Sequence, residues 1–363
     1  MPWDQPYIIF WELTRACDFA CKHCRAKAVK KRHVDELTTE ECFKVIEEIS
    51  KFELKPMIIF TGGDPLLRED VVNIIGQASK KGIRCSIAFS GTERASYEKI
   101  VELKNAGISR VAVSIDGCRE VHDEFRGVSG AFDMAMEVVE NCIRAGVEFQ
   151  INTTVTKYTM KCLPDLARLC LDIKAAMWDV FFLVPTGRAR VEQMPSAQEF
   201  EDILCWLYDL KLFGLNVKSS AATHFRRVEI MRQKGIMPNV SELYYELLSK
   251  TDLKSTEILE KSCKEKNRTF GITDGRGMLF ISHIGEVYPS GFLPLACGNV
   301  RENSLMEIYK KSRVFCDLRD PEKLKGKCGR CSYKQICGGS RARAYALTGD
   351  YLGEEPCCVH LSN

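Results

Sequence analysis

No apolar run in this 363-residue chain approaches the ~18 residues that spanning a bilayer would require, which argues against a membrane protein. Neither charge dominates. The 52 basic side chains nearly balance 49 acidic ones, so no polyanion-binding field arises and nucleic acid gains no support as a partner. No internal repeat or low-complexity tract stands out. The opening MPWDQPYIIFWEL lacks a basic segment followed by an apolar core and a small-residue cleavage site, so a cytoplasmic location is expected. What the chain does have is cysteine, 18 in all. A reducing compartment keeps thiols free, so clustered cysteines point to metal binding, whereas scattered ones such as Cys42, Cys142 and Cys170 read as small core residues.

At 45% hydrophobic, the length suits two domains. Six β-rich runs, YIIFWELT, PMIIFTGG, RCSIAFSG, RVAVSIDG, FQINTTVT and WDVFFLVPTG, alternate with helical patterns between about residues 7 and 213. Such alternation predicts an α/β fold with a parallel sheet, and six units are too few for a closed eight-unit barrel. A partial (β/α)6 barrel over residues 1–213 is expected. Unusual residues follow each strand: the loop of Cys17, Cys21 and Cys24, then Gly62-Gly63-Asp64, Ser90-Gly91, Ser114 to Gly117, Asn152 to Thr154, and Gly187-Arg188. They share one rim, the carboxyl ends of the strands, where such folds place their chemistry. Residues 214–268 read as a charged helical connector, and residues 269–363 as a smaller domain with a hairpin turning at Ile284-Gly285.

Cys17, Cys21 and Cys24 have CxxxCxxC spacing. Three thiolates on a cubane of four irons leave one iron open, and an open position lets a metal centre bind a ligand instead of only holding structure. Zinc completed by His23 is the competing reading. A second group, Cys328, Cys331, Cys337 and Cys358, reads CxxC-x5-C-x20-C and would close a four-thiolate site, for a 4Fe-4S cluster or for zinc. Cys357, adjacent to Cys358, is a rival for the last position, and Cys297 is a remoter one.

At these residues the sequence resembles the radical S-adenosylmethionine enzymes, with a SPASM-type (twitch-like) C-terminal domain. The resemblance implies that S-adenosylmethionine chelates the open iron and yields a 5′-deoxyadenosyl radical that takes hydrogen from substrate. It assigns to that cofactor Gly62, Gly63, Asp64, Ser90, Ser114, Asp116, Arg126 and Asn152, with Asp64 receiving the methionine ammonium. A full SPASM pattern holds two auxiliary clusters. Here Ser290 and Arg341 stand where two of its cysteines would be, so one auxiliary cluster is implied, giving two 4Fe-4S clusters in all.

The segments FRGVSGAF, QINTTVTK, FFLVPTGR, GNVR, LRDPEKLKGKCGRC and RARAYALTGDYLGEEP resemble the siroheme-dependent haem and haem d1 branch of that family. This implies trimming or decarboxylation of tetrapyrrole side chains, with ferredoxin or flavodoxin as electron donor. Arg188 is the residue expected to meet an anionic substrate, with Arg190, Arg226, Arg227, Arg341 and Arg343 as further candidates. His224 and His283 could approach substrate or a metal. Modification of a ribosomal peptide is the alternative, although the first strand starts near Tyr7 and leaves no room for a leader-binding domain ahead of it. A non-catalytic iron–sulfur electron carrier is a third reading, which the open three-cysteine site disfavours.

Overall fold

The computed structural model describes residues 3–251 and 271–361. The six β-rich runs form β1 (Ile8–Glu12), β2 (Met57–Thr61), β3 (Cys85–Phe89), β4 (Ile108–Ser114), β5 (Phe149–Val155) and β6 (Met177–Phe182). Each is parallel to the next. Side-chain alternation decides what each strand contributes to either face. Along β5, Phe149, Ile151, Thr153 and Val155 are buried, while Gln150, Asn152 and Thr154 are only half-buried and turn to the other face. In β1, Ile9 and Trp11 enter the core, whereas Ile8 and Phe10 line a cavity of 1060 Å³.

The helices between strands begin and end where their chemistry dictates. Thr38 caps helix Thr39–Ser50 by accepting from Glu41 N, and Glu41 returns the bond to Thr38 N. Helix Tyr97–Ala106 stops at Gly107, whose φ of 104° would strain any side chain.

The sheet is longer than six strands. β7 (Val217–Ser220) pairs with β6, β8 (Met278–Ile281) pairs in parallel with β1, and β9 (Val287–Tyr288) pairs antiparallel with β8. The order is therefore β7-β6-β5-β4-β3-β2-β1-β8-β9, curled into a partial barrel. β7 lies past residue 213, where the barrel was expected to stop. β8 and β9 cover what would otherwise be the open edge of β1, whose unpaired backbone groups need partners. The expected hairpin forms, with Gly285 at φ 86° in its turn. The stretch expected to be a helical connector thus contributes a strand, followed by helices Phe225–Gln233 and Glu242–Thr251. Its remainder, and the expected domain start near Phe270, lie outside the described residues. Among the described residues, no helix is long and apolar enough to cross a membrane.

Candidate functional site

The loop after β1 folds back on itself, with Ala16 bridging to Val29 and Cys17 N donating to Val29 O at 2.9 Å. The loop after β2 lies directly against it: Gly63 N donates to Thr14 O and Asp64 N to Ala16 O, both at 2.7 Å. A Cβ on Gly63 would stand 2.2 Å from Ala16 O, so only glycine permits this approach. On the other side, Arg188 N donates to Cys24 O at 3.0 Å, and a Cβ on Gly187 would meet that same oxygen at 2.3 Å. Loops from two other strand ends thereby clamp the cysteine loop.

Beside it is a cavity of 200 Å³ whose wall includes Cys17, Cys21 and Cys24 together with Gly62, Gly63, Ser90, Ser114, Arg126 and Asn152. Phe181, Phe182, Leu183 and Phe292 form its apolar side. Phe19 N donates to Cys17 Sγ and Ala28 N to Cys24 Sγ, each at 3.4 Å, and Ser90 Oγ lies 3.8 Å from Cys17 Sγ. Burial pushes the Cys17 thiol up to about 11. It also raises Cys21, against the nearby Arg126 guanidinium, whose Nη1 is 3.9 Å from that sulfur. Thiols so placed become thiolates when a metal takes the proton's position.

Arg126 forms the polar floor, with Asp116 behind it. Asp116 is fully buried; its Oδ2 accepts from Arg126 Nε at 2.7 Å and its Oδ1 from Thr154 N at 2.7 Å. Burial alone would raise this carboxyl, but Arg126, His23 and His122 outweigh it and hold it low. Asp116 therefore orients Arg126 from behind the cavity wall. His23 stacks on Phe125 at 4.2 Å, with Nε2 3.9 Å from Asp116 Oδ2, and burial drives its pKa down to about 4.

Asp64 is placed differently from the expectation. Its side chain is fully buried and is not on the cavity wall. Oδ1 accepts from Leu66 N at 3.0 Å, capping a short 3-10 turn, and Oδ2 accepts from Thr92 Oγ1 at 2.8 Å. The residues of this loop that do reach the cavity are Thr61, Gly62 and Gly63. Arg188 is half-buried and does not line this cavity either. Its Nε and Nη2 are buried and have no hydrogen-bond partner among the described residues.

The second cysteine group surrounds its own narrow cavity, with Cys328, Cys331, Cys337 and Cys358 all on the wall. Cys357 instead packs into the main core. Backbone N–H groups point at three of the sulfurs: Glu355 N at Cys328 (3.2 Å), Tyr333 N at Cys331 (3.4 Å) and Gly339 N at Cys337 (3.4 Å). Amides aimed at sulfur suit thiolates. Among the described residues, no three Cys, His, Asp or Glu side chains converge tightly enough for a single ion. Soft thiolates with amides aimed at them are a donor set that suits the irons of an iron–sulfur cluster.

Four of the candidate anion-binding arginines are committed elsewhere. Arg226 donates to Ile336 O, Arg227 pairs with buried Glu201, Arg341 binds Gly339, Tyr351 and Gly353 carbonyls, and Arg343 pairs with Glu355. Arg190 is exposed. His283 pairs with Glu12 at 2.9 Å, and Glu12 also holds Arg25 at 3.0 Å. Arg25 lies on the cavity wall and over the Phe280 ring, a placement the sequence pattern did not single out. Ser290 is buried, with no hydrogen-bond partner for its Oγ among the described residues, and Cys297 packs against the main core.

Residues 11–170 match the model of the radical SAM superfamily, and residues 273–332 match SPASM, an iron–sulfur cluster-binding domain. The AdoMet-dependent heme synthase of Oleidesulfovibrio alaskensis is 41% identical over 97% of this chain and 87% of its own. The protein of the same name in Methanosarcina barkeri is 40% identical over 98% of this chain and 97% of its own. Streptococcus suis SuiB bound to S-adenosylmethionine shares the fold, with a TM-score of 0.70 at 14% identity over 98% of this chain and 78% of SuiB. Three cysteines at a strand-end cavity, four at a second cavity in the C-terminal part, and this end-to-end likeness lead to one conclusion: the chain belongs to the radical SAM superfamily and carries a C-terminal SPASM iron–sulfur domain.

Proposed function

We propose that this radical SAM enzyme acts in the cytoplasm on a tetrapyrrole, removing or trimming a carboxylate-bearing side chain. The observation that carries the reading is near full-length likeness, about two residues in five, to two proteins named heme synthase. When bound, S-adenosylmethionine and a 4Fe-4S cluster at Cys17, Cys21 and Cys24 supply a 5′-deoxyadenosyl radical that takes hydrogen from the substrate. Around them the chain positions and excludes. Carbonyls of residues 61–63 and the side chains of Ser90, Ser114 and Asn152 offer hydrogen bonds to the cofactor, Arg126 faces its carboxylate, and Phe181, Phe182 and Phe292 keep water out. Asp64 and Asp116 act from behind, holding the Gly62-Gly63 loop and Arg126.

A second 4Fe-4S cluster at Cys328, Cys331, Cys337 and Cys358 is part of the same proposal, with ferredoxin or flavodoxin as electron donor. Arg188 supports an anionic substrate. It is half-buried beside the cysteine loop, and its Nε and Nη2 have no hydrogen-bond partner among the described residues and can offer a charge-assisted bond to a carboxylate. The test is to incubate the reduced, reconstituted enzyme and S-adenosylmethionine with iron-coproporphyrin or decarboxylated siroheme, following deoxyadenosine and side-chain mass. Coupled loss of mass is the expected result. No change with either tetrapyrrole, but turnover of a peptide encoded by a neighbouring gene, would replace this reading with peptide modification.

A further inference from the structure

His224 stands on the wall of the C-terminal cysteine cavity with Cys328, Cys331, Cys337 and Cys358. It is fully buried, and neither ring nitrogen has a hydrogen-bond partner among the described residues. A buried imidazole ordinarily has its N–H satisfied, because leaving that donor unmade forfeits the hydration it had in water. The backbone holds the ring firmly. His224 sits at the start of helix Phe225–Gln233, its carbonyl accepts from Arg227 N and Val228 N, and its ring lies 6.1 Å from that of Phe200 at 20°. The unmatched donor is thus an ordered feature of the cavity wall.

The surroundings say what kind of acceptor belongs there. Three backbone amides already aim at cysteine sulfurs, and Arg341 Nη2 is 3.7 Å from Cys328 Sγ. Arg227 and Lys327 are also on the wall. Amides aimed at sulfur and an unpartnered imidazole on a wall that carries four thiols make an anionic, sulfur-rich body the fitting occupant.

We infer that His224 donates a ring N–H to a sulfur of the 4Fe-4S cluster held by those four cysteines, and so raises its reduction potential; this rests on the cluster reading proposed above. One-electron reduction adds negative charge to the cluster, and a hydrogen bond to its sulfur stabilises the reduced form more than the oxidised one. His224 is a positioning residue here. The four cysteines remain the ligands.

The test uses full-length protein with Cys17→Ala, Cys21→Ala and Cys24→Ala, so that only the C-terminal cluster is reconstituted. His224→Leu and His224→Gln are then compared with this background by iron and sulfide content, by potentiometric titration followed by electron paramagnetic resonance, and by exchangeable-proton coupling to the reduced cluster. About four irons are expected in all three proteins. The potential should fall in His224→Leu with loss of one exchangeable-proton coupling, and His224→Gln, which keeps an N–H donor, should recover part of both. An unchanged potential and unchanged coupling in His224→Leu would overturn the inference. So would loss of iron from both variants, which would make His224 a ligand or a folding requirement. Zinc without sulfide in the His224-containing background would remove the cluster reading itself, a result distinct from either.

Discussion

Arg343 Nη1 lies 3.1 Å from Glu355 Oε1, and neither side chain has any exposure. The other donors of Arg343 reach Leu183 O, Phe182 O and Ala221 O, at the ends of β6 and β7, while its guanidinium lies over Phe200. Glu355 accepts from Ser340 N and Cys357 N, and its own N–H is the one aimed at Cys328 Sγ. One ion pair therefore joins the wall of the cofactor cavity to the C-terminal cysteine site. Removing one partner strands a buried charge, so Arg343→Ala should destabilise the protein by about 3 to 5 kcal/mol in chemical unfolding. It should also lower iron at the C-terminal site before the site in the β1 loop. A loss below about 1 kcal/mol would show that the pair is dispensable.

Anaerobic reconstitution should give about eight irons per chain, and the Cys17→Ala, Cys21→Ala, Cys24→Ala protein about four, with no cleavage of S-adenosylmethionine. Cys358→Ser should cost the C-terminal cluster, whereas Cys357→Ser should keep it, since Cys357 packs into the core and not onto the cavity wall. Iron analysis with the visible absorption spectrum decides both. Iron near twelve would reveal a third cluster.

Gly63→Ala should break the site selectively. The added methyl would fall 2.2 Å from Ala16 O, so the cysteine loop must move. The expected outcome is loss of the cluster in the β1 loop with the C-terminal cluster intact, read as about half the iron and no S-adenosylmethionine cleavage.

Asp64 offers a test by pH. Burial raises its carboxyl, with the Thr92 and Leu66 hydrogen bonds opposing. A raised folded pKa stabilises the protonated folded state, and that contribution is present below the unfolded value near 3.8 and is lost as pH rises through the folded value. Asp64→Asn has no such dependence. In unfolding of the apoprotein, the variant should gain on the wild type as pH rises from about 4. A gap that stays constant across that rise would refute the assignment. Asp64→Ala, lacking the cap to Leu66 N, should lose about 1 kcal/mol.

Arg188→Ala should raise the KM for a carboxylate-bearing tetrapyrrole by a factor corresponding to about 1.5 to 3 kcal/mol, the usual worth of a hydrogen bond to a charged group. Arg188→Lys should recover part of it, and cluster content should not change. Steady-state kinetics with iron-coproporphyrin provide the check.

The sequence by itself determined the six alternating strands, the helix caps and the spacing of both cysteine groups, because each depends on residues close together in the chain. Period-two alternation in β5 sorts Phe149 and Ile151 from Asn152 and Thr154 whatever lies beyond. Only the tertiary structure sets Cys357 into the main core and Cys358 on the wall of the C-terminal cavity, since neighbours in an irregular loop are aimed by what packs on each. It likewise turned Asp64 from the cavity towards Leu66 and Thr92, and tied Arg226, Arg227, Arg341 and Arg343 to carbonyls and carboxylates of distant segments. The extra strands follow the same logic. β8 finds β1 across more than 250 residues because an open parallel edge needs its backbone groups paired, a demand that no local pattern records.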